Sequence, residues 1–176
     1  MQTIIPIDIY GKCSKRLNIR RRANTDEQSI LSHEEQNVLS LSKFYIAFEN
    51  ARCPEYVTEK LYKITNLQLT DTPPVPIVMG PNKSWYAEHL PEKSFIHVDD
   101  FQHPEEMGRY LWNLHFDNDK FLEYVQWRRY HKLVRNPPLR CKLCEVLLKD
   151  TITQQANLVI SDFEAFWKRA DCTEQK

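Results

Sequence analysis

The chain has 176 residues, and its 24 basic and 24 acidic side chains give a formal net charge of zero at neutral pH. This balance excludes a net field that would attract a nucleic acid or an acidic membrane surface. The length is enough for one compact domain, and the three glycines argue against a disordered or repetitive protein. No apolar run approaches the length that a transmembrane helix needs.

The N-terminal part of the chain predicts a strand, a basic loop and a helix. Residues 3–10 are rich in isoleucine, which favours a strand, although Pro6 weakens its middle. Residues 15–22 are basic, and such a run is typical of a solvated face, although it could also steer an anionic ligand. Residues 25–42 carry acidic residues in their first turn and a loose apolar stripe, which predicts a helix. Together with the next strand, these elements predict a first βαβ unit.

A strand, a turn and a polar cluster follow. Residues 44–48 are apolar and aromatic, which predicts a strand covered on both faces. Glu49 and Asn50 come directly after it, and residues 58–60 begin a predicted helix. Ligands of open α/β sheets bind beyond the strand ends, where Lys60 would favour a phosphate and the Glu and Asn side chains would suit sugar hydroxyls or a base edge. The same residues also fit helix caps and surface charges.

Several blocks in this order resemble the α1,3-fucosyltransferase family. The segment that is similar to the donor-binding signature of the family consists of Phe48-Glu49-Asn50, Cys53, Tyr56-Val57-Thr58-Glu59-Lys60 and residues 75–80. The other blocks that resemble the family are residues 8–13, residues 94–101 with Pro104, residues 124–128, Cys141-x-x-Cys144 and Phe166-Trp167. The likeness therefore covers most of the chain.

The resemblance implies an α/β fold, namely a Rossmann-like parallel-sheet lobe that is the C-terminal donor half of a GT-B glycosyltransferase. Residues 1–135 would form the GDP-fucose-binding lobe. Residues 136–176 would form a cysteine-containing segment and a helix that pack back on an N-terminal lobe missing from this sequence. The implied reaction is the inverting transfer of fucose from GDP-fucose to the N-acetylglucosamine of a glycan or glycoprotein, in α1,3 linkage. The resemblance also implies that no cofactor would be obligatory and that a divalent cation could stimulate the reaction.

The resemblance also implies roles for individual residues. Lys60 would neutralise the donor phosphate, Glu59 would hold the ribose hydroxyls, and Asn50 and Tyr56 would complete the donor contacts. Further donor-binding candidates are Glu49, Tyr10 and Gly11. Because the catalytic base of the family belongs to the N-terminal lobe, we expect no catalytic residue in this chain. The chain alone is expected to bind GDP weakly and to transfer nothing.

Such an enzyme would act on the luminal side of the Golgi membrane, held by an N-terminal anchor absent from this sequence. We therefore expect the sequence to be a fragment or an incomplete gene model. One alternative is a protein O-fucosyltransferase of the same family, and another is a catalytically incompetent nucleotide-sugar-binding domain. Glu59 and Lys60 weigh against the second alternative, whereas a departure from the family pattern over residues 63–74 weighs for it.

The five cysteines fit the oxidising lumen that the resemblance implies. We predict a disulfide between Cys13 and Cys53, which would join the turns after two neighbouring strands. Cys141 and Cys144 would either bond to each other or stay free, because the N-terminal lobe that holds their partners in some family members is missing. Cys172 has no predicted partner.

The remaining chain predicts strands at residues 75–79 and 95–98 and helices at residues 104–116, 117–133 and about 163–169. Asn82-Lys83-Ser84 is a sequon for N-glycosylation in a secretory lumen. Asp99 and Asp100 resemble an acidic pair of the family. Adjacent side chains on a strand point to opposite faces, so we predict no metal site there.

Overall fold

The structure, a computed structural model, describes residues 4–9, 33–65, 73–131, 139–153, 162, 164–165 and 172–174. The chain divides into two compact units, Met1–His131 with Cys172–Lys176, and Lys132–Asp171. The elements of the described residues are α1 (His33–Ser40), β1 (Phe44–Phe48), β2 (Ala51–Arg52), α2 (Glu59–Thr65), β3 (Val75–Met79), α3 (Lys83–His89), β4 (Ile96–His97), α4 (Pro104–Phe116), α5 (Asn118–Glu123), α6 (Leu139–Thr153) and β5 (Thr173–Glu174).

A parallel sheet lies at the centre of the first unit. Its strand order is β1-β3-β4, and both neighbours run parallel to β3. The first four residues of β3 are buried, as expected for the central strand of a Rossmann-like sheet. Pro76 is tolerated in this strand because β4 begins only opposite Ile77, so the missing N–H of Pro76 costs no ladder bond on that side.

Helices cover both faces of this sheet. On one face, Val75, Ile77 and Ile96 pack with residues of α4 and α5, namely Met107, Leu111, Leu114 and Phe121. On the other face, Ala47 and Val78 pack with Leu61 of α2 and Tyr86 of α3. Alternate residues of a strand point to opposite faces, so adjacent Ile77 and Val78 belong to different clusters. The α/β class predicted from the sequence is confirmed.

Several predicted elements match the structure. The strands at residues 44–48 and 75–79 and the helix at residues 104–116 have the predicted bounds. The predicted strand at 95–98 is shorter, because Val98–Asp100 forms a single 3-10 turn. The predicted helix at 117–133 is also shorter, because α5 ends at Glu123 and a 3-10 turn follows at Gln126–Arg129. For the predicted helices at residues 25–42 and 163–169, residues 25–32, 163 and 166–169 lie outside the described residues.

The prediction of a strand at residues 3–10 is wrong for its described part, because residues 4–9 contain no strand. Pro6 has no N–H for a ladder bond, which weakens pairing in the middle of the segment. Ile5 instead packs against the hydrophobic cluster beneath α4, and Ile4 lies against Gly108 of that helix. The βαβ unit that the structure forms is therefore β1, α2 and β3. β1 is an edge strand of the described sheet, and Ile46 is 38% exposed rather than covered.

The second unit contains α6, which exposes Leu143, Val146, Leu147 and Leu148. Among the described residues, no helix is long and apolar enough to cross a membrane.

Candidate functional site

The carboxyl ends of β1, β3 and β4 lie at one edge of the sheet. Because the strands are parallel, the residues that follow them, Glu49, Gly80 and Val98, leave the sheet side by side. Open parallel sheets bind their ligands in this position. We call this region the carboxyl edge, and it is the candidate site.

Glu49 is a buried carboxylate at the carboxyl edge, with a residue exposure of 2%. Its backbone N–H donates to the Met79 carbonyl at 2.7 Å, which extends the β1–β3 pairing by one bond. Its Oε1 accepts from the Thr58 N–H at 2.8 Å, and its Oε2 accepts from the Thr58 hydroxyl at 2.7 Å. The Lys60 ammonium is a third donor, at 2.9 Å from Oε2. A carboxylate can be buried only when it is paired and hydrogen-bonded, and Glu49 meets both conditions.

Lys60 links Glu49 to Asn50. Its Nζ lies 3.4 Å from Asn50 Oδ1 in addition to its contact with Glu49. The Lys60 side chain is 29% exposed, whereas the Glu49 side chain is 1% exposed. An ammonium has three N–H donors, so Lys60 keeps the capacity to bind an anion from the solvent. The structure thus brings together the three predicted residues Glu49, Asn50 and Lys60.

Tyr56 and Glu59 lie at the surface beside this cluster. The turn that carries Tyr56 is closed by its N–H, which donates to the Cys53 carbonyl at 3.3 Å, and Glu55 has a left-handed φ of 61°. Tyr56 is 39% exposed, and Glu59 is exposed at the first residue of α2. In the described part of the chain, no hydrogen bond joins either side chain to Lys60. The candidates Tyr10 and Gly11 lie outside the described residues.

A second polar cluster lies at the same edge and was missed by the sequence interpretation. Arg52 Nη1 donates to both carboxylate oxygens of Asp99, at 2.9 and 3.2 Å. The Asp99 N–H donates to His97 Nδ1 at 3.2 Å, and His97 Nε2 lies 3.2 Å from the Pro81 carbonyl oxygen. Since Nδ1 accepts a hydrogen bond, the ring proton belongs on Nε2, which donates to Pro81. No sequence spacing signals the Arg52–Asp99 pair, because its partners are 47 residues apart.

The predicted acidic pair contacts two different cations. Asp99 pairs with Arg52, and Asp100 pairs with Lys83 of α3. Both aspartates lie in a 3-10 turn rather than on a strand. In the described ranges, no group of three or more His, Cys, Asp or Glu side chains is placed to hold a metal ion.

Tyr86 lies directly beneath the carboxyl edge and is 1% exposed. Burial raises the pKa of its hydroxyl, and the nearby Glu49 carboxylate raises that pKa further. The hydroxyl therefore stays protonated across the physiological range. The sequence interpretation did not identify Tyr86, because an aromatic residue on a short helix is typical of the hydrophobic core.

The chain end is joined to the candidate site. β2, which directly follows Asn50, pairs antiparallel with β5, and Cys53 forms a disulfide with Cys172. The predicted disulfide between Cys13 and Cys53 is therefore corrected, because Cys53 can bond to only one partner. Cys13 itself lies outside the described residues.

Cys141 and Cys144 are free and exposed, so they do not bond to each other. They lie three residues apart on α6. Neighbours at this spacing on a helix have Cβ atoms about 5–6 Å apart, whereas a disulfide needs about 3.5–4.5 Å. The helical geometry thus explains why the two thiols remain separate.

The fold and the polar edge define a Rossmann-like α/β lobe with a cationic and amide-bearing cluster beyond its parallel strands. Residues 1–164 match the model of glycosyltransferase family 10 (fucosyltransferase), C-terminal part. The chain belongs to this family, as its sequence blocks predicted.

Two human relatives agree with this membership. The chain is 38% identical over 128 residues to human 4-galactosyl-N-acetylglucosaminide 3-alpha-L-fucosyltransferase FUT6, a match that covers 73% of this chain and 31% of the relative. The human 3-galactosyl-N-acetylglucosaminide 4-alpha-L-fucosyltransferase FUT3 matches with the same identity and the same coverage. A solved structure of an alpha1,3-fucosyltransferase with GDP-fucose aligns with a TM-score of 0.44 at 27% identity, over 58% of this chain and 27% of that one. The chain thus spans about a third of the length of the curated relatives it matches.

Proposed function

We propose that this chain is the donor-binding lobe of a GT-B fucosyltransferase and that its carboxyl edge binds the GDP part of GDP-fucose. The observation that carries the proposal is the partly exposed Lys60 ammonium, which is held next to Asn50 beyond the parallel strands in a chain of this family. A diphosphate would bring two negatively charged groups to this position. A lysine is a compact point charge suited to such a partner.

The individual roles follow the family pattern. Lys60 would neutralise the diphosphate as it leaves, and charge stabilisation of that kind is a large term in transfer reactions. Glu59 and Tyr56 are exposed, as side chains that meet a ligand from solvent must be. Glu59 would accept from the ribose hydroxyls, while Tyr56 and Asn50 would complete the donor contacts.

In the whole protein, fucose would be transferred with inversion to a hydroxyl of N-acetylglucosamine, in α1,3 linkage, on a glycan or glycoprotein in the Golgi lumen. Inversion by single displacement needs a general base on the acceptor side. We propose that the base comes from a part of the enzyme outside this sequence and that a metal ion is not obligatory. This chain would then bind donor without completing transfer.

The test is calorimetric titration of GDP into the full chain with its disulfide intact. Lys60→Gln is the informative variant, because its amide can still donate to buried Glu49 while the positive charge is lost. Hydrogen bonds to charged groups contribute about 1.5–3 kcal/mol, so we expect affinity to fall about 10- to 100-fold.

Lys120→Gln is the matched control, since it removes a lysine charge from the surface of α5. Lys43 is the residue before β1, and its ammonium contacts Asn118 at the start of α5. This helix therefore borders the edge of the sheet opposite to the carboxyl edge. The control should bind GDP like the original chain. A folded chain that does not bind GDP, or a Lys60→Gln variant that binds equally well, would overturn the proposal.

A protein O-fucosyltransferase would bind the same donor, so only the acceptor distinguishes it from the proposed glycan-modifying enzyme. The whole enzyme would have to modify a folded protein and not a free glycan. A catalytically incompetent domain would bind GDP-fucose while the whole protein transferred to neither acceptor.

A further inference from the structure

We propose that Glu49 is the positioning residue of the donor site, a role that rests on the proposed function of Lys60. Glu49 would not touch the donor. It would hold the Lys60 ammonium at the point where the diphosphate arrives and fix the beginning of α2 against the end of β1.

The burial of Glu49 excludes direct recognition of a ligand that comes from solvent. Its side chain is 1% exposed, and both carboxylate oxygens accept hydrogen bonds from within the chain. A donor molecule would have to displace Thr58 or Lys60 to reach these oxygens. Displacement of Lys60 would leave the buried carboxylate without its cation, which is strongly unfavourable.

The charge of Glu49 fixes the place of Lys60. A buried carboxylate needs a cation, and Lys60 is the cation within hydrogen-bond distance in the described part of the chain. A free lysine side chain has many rotamers and loses that freedom when it is ordered. Glu49 restricts that freedom before the ligand binds, so the ammonium is preorganised and less ordering remains for the binding step.

Glu49 also ties two elements together through its contacts with Thr58. The backbone N–H and the hydroxyl of Thr58, which precedes the first residue of α2, both donate to the carboxylate. Glu49 itself is joined to β3 through the Met79 carbonyl. Gly80 leaves room for this arrangement, because a Cβ atom at residue 80 would lie 3.0 Å from Glu49 Cγ.

Glu49→Asp is the variant that separates position from charge. Aspartate keeps the negative charge but is one methylene shorter, so it cannot reach Thr58 and Lys60 together. The repulsion between the carboxylate of residue 49 and the incoming diphosphate therefore stays the same, whereas the Lys60 ammonium is no longer held in position. We expect GDP affinity, measured by calorimetry on the full chain, to fall about fivefold to tenfold.

The decisive measurement is the double-mutant cycle with Lys60→Gln. If Glu49 acts through Lys60, Glu49→Asp should change GDP affinity by less than about twofold in the Lys60→Gln background. A merely structural role, or direct contact with the donor, would give the same loss in both backgrounds. If that double variant does not fold, the cycle is repeated with Glu49→Gln in place of Glu49→Asp, because Glu49→Gln with Lys60→Gln forms a neutral amide pair.

Glu123→Asp is the matched control, because it shortens the carboxylate of a surface pair with Lys93. It should leave GDP affinity unchanged. The inference is overturned if Glu49→Asp binds GDP within twofold of the original chain while Lys60→Gln loses affinity. If Lys60→Gln also retains affinity, or the folded original chain does not bind GDP, the proposed function fails as well.

Discussion

Cys53 and Cys172 are joined by a disulfide across 119 residues of sequence, so the end of the chain is bonded to the turn that follows Asn50. The two-residue pairing of β2 with β5 continues this contact. The loop that carries Asn50 is therefore held on one side by the β1–β3 sheet and on the other side by residues 172–174.

Breaking this disulfide should destabilise the first unit. A cross-link that closes a loop of about 100 residues restricts the unfolded chain strongly, and loss of a native disulfide costs about 2–5 kcal/mol. We expect Cys172→Ser to lower the free energy of unfolding by that amount in urea titrations. Cys141→Ser with Cys144→Ser is the control, because both thiols are free and exposed, and it should have little effect. Recovery of a peptide that links Cys53 to Cys13 would contradict the assignment.

Gly80→Ala should be destabilising through its contacts at the carboxyl edge. The new methyl group would lie 2.9 Å from Tyr86 Oη and 3.0 Å from Glu49 Cγ, and overpacking of this kind costs about 1–3 kcal/mol. Tyr86→Phe removes the nearer atom, so the double variant should lose less stability in urea titrations than the sum of the two single variants. If Gly80→Ala lowers the free energy of unfolding equally in the original chain and in the Tyr86→Phe variant, the crowding does not involve the Tyr86 hydroxyl.

Gly108→Ala is the internal control for that experiment. A Cβ at residue 108 would meet Ile4 at 3.4 Å, an ordinary contact, and the residue lies within α4. Alanine is favoured over glycine in a helix by about 0.5–1 kcal/mol, so this variant should be slightly more stable.

Asn82 should act as a helix cap whether or not it is glycosylated. It is exposed, and its Oδ1 accepts from the Trp85 N–H at 3.1 Å and from the Ser84 hydroxyl at 2.9 Å. A glycan would attach to the amide nitrogen and leave this oxygen in place. Asn82→Asp should abolish glycosylation without loss of stability, whereas Asn82→Ala should cost about 0.5–2 kcal/mol. Mass spectrometry of secreted protein and thermal unfolding measure the two effects, and equal stability of both variants would exclude the cap.

Asp117 should make stability depend on pH in the acid range. The Lys120 N–H and then the Lys120 ammonium hold the pKa of the Asp117 carboxyl below its usual value. A carboxyl whose pKa is depressed by folding contributes stability above its unfolded pKa of about 3.9, and that contribution is lost as the pH falls through the folded pKa. The melting temperature of Asp117→Asn should therefore fall less between pH 5 and pH 2 than that of the original chain. An equal fall in the melting temperatures of Asp117→Asn and of the original chain over this pH range would contradict the prediction.

Local signals explain which parts of the fold could be predicted. The apolar runs at residues 44–48 and 75–79 and the Pro104 N-terminus of α4 are contiguous in sequence, and the structure has the same bounds. The cluster of Glu49 and Lys60 could also be predicted, because a strand, a turn and a helix bring together two residues that are only 11 positions apart. The strand prediction for residues 3–10 failed because the β-branched composition of the segment favours a strand, whereas Ile4 and Ile5 pack against α4 and the cluster beneath it.

By itself, the sequence determined the α/β class, the membership of the fucosyltransferase family and the residue types available at the carboxyl edge. Only the tertiary structure decided the partner of Cys53, the pairing of Arg52 with Asp99, and the burial that makes Glu49 an internal anchor for Lys60. The physical reason is distance along the chain. Periodicity, capping and turn chemistry act over a few residues, whereas a disulfide across 119 residues or an ion pair across 47 forms only after the packed sheet brings its ends together.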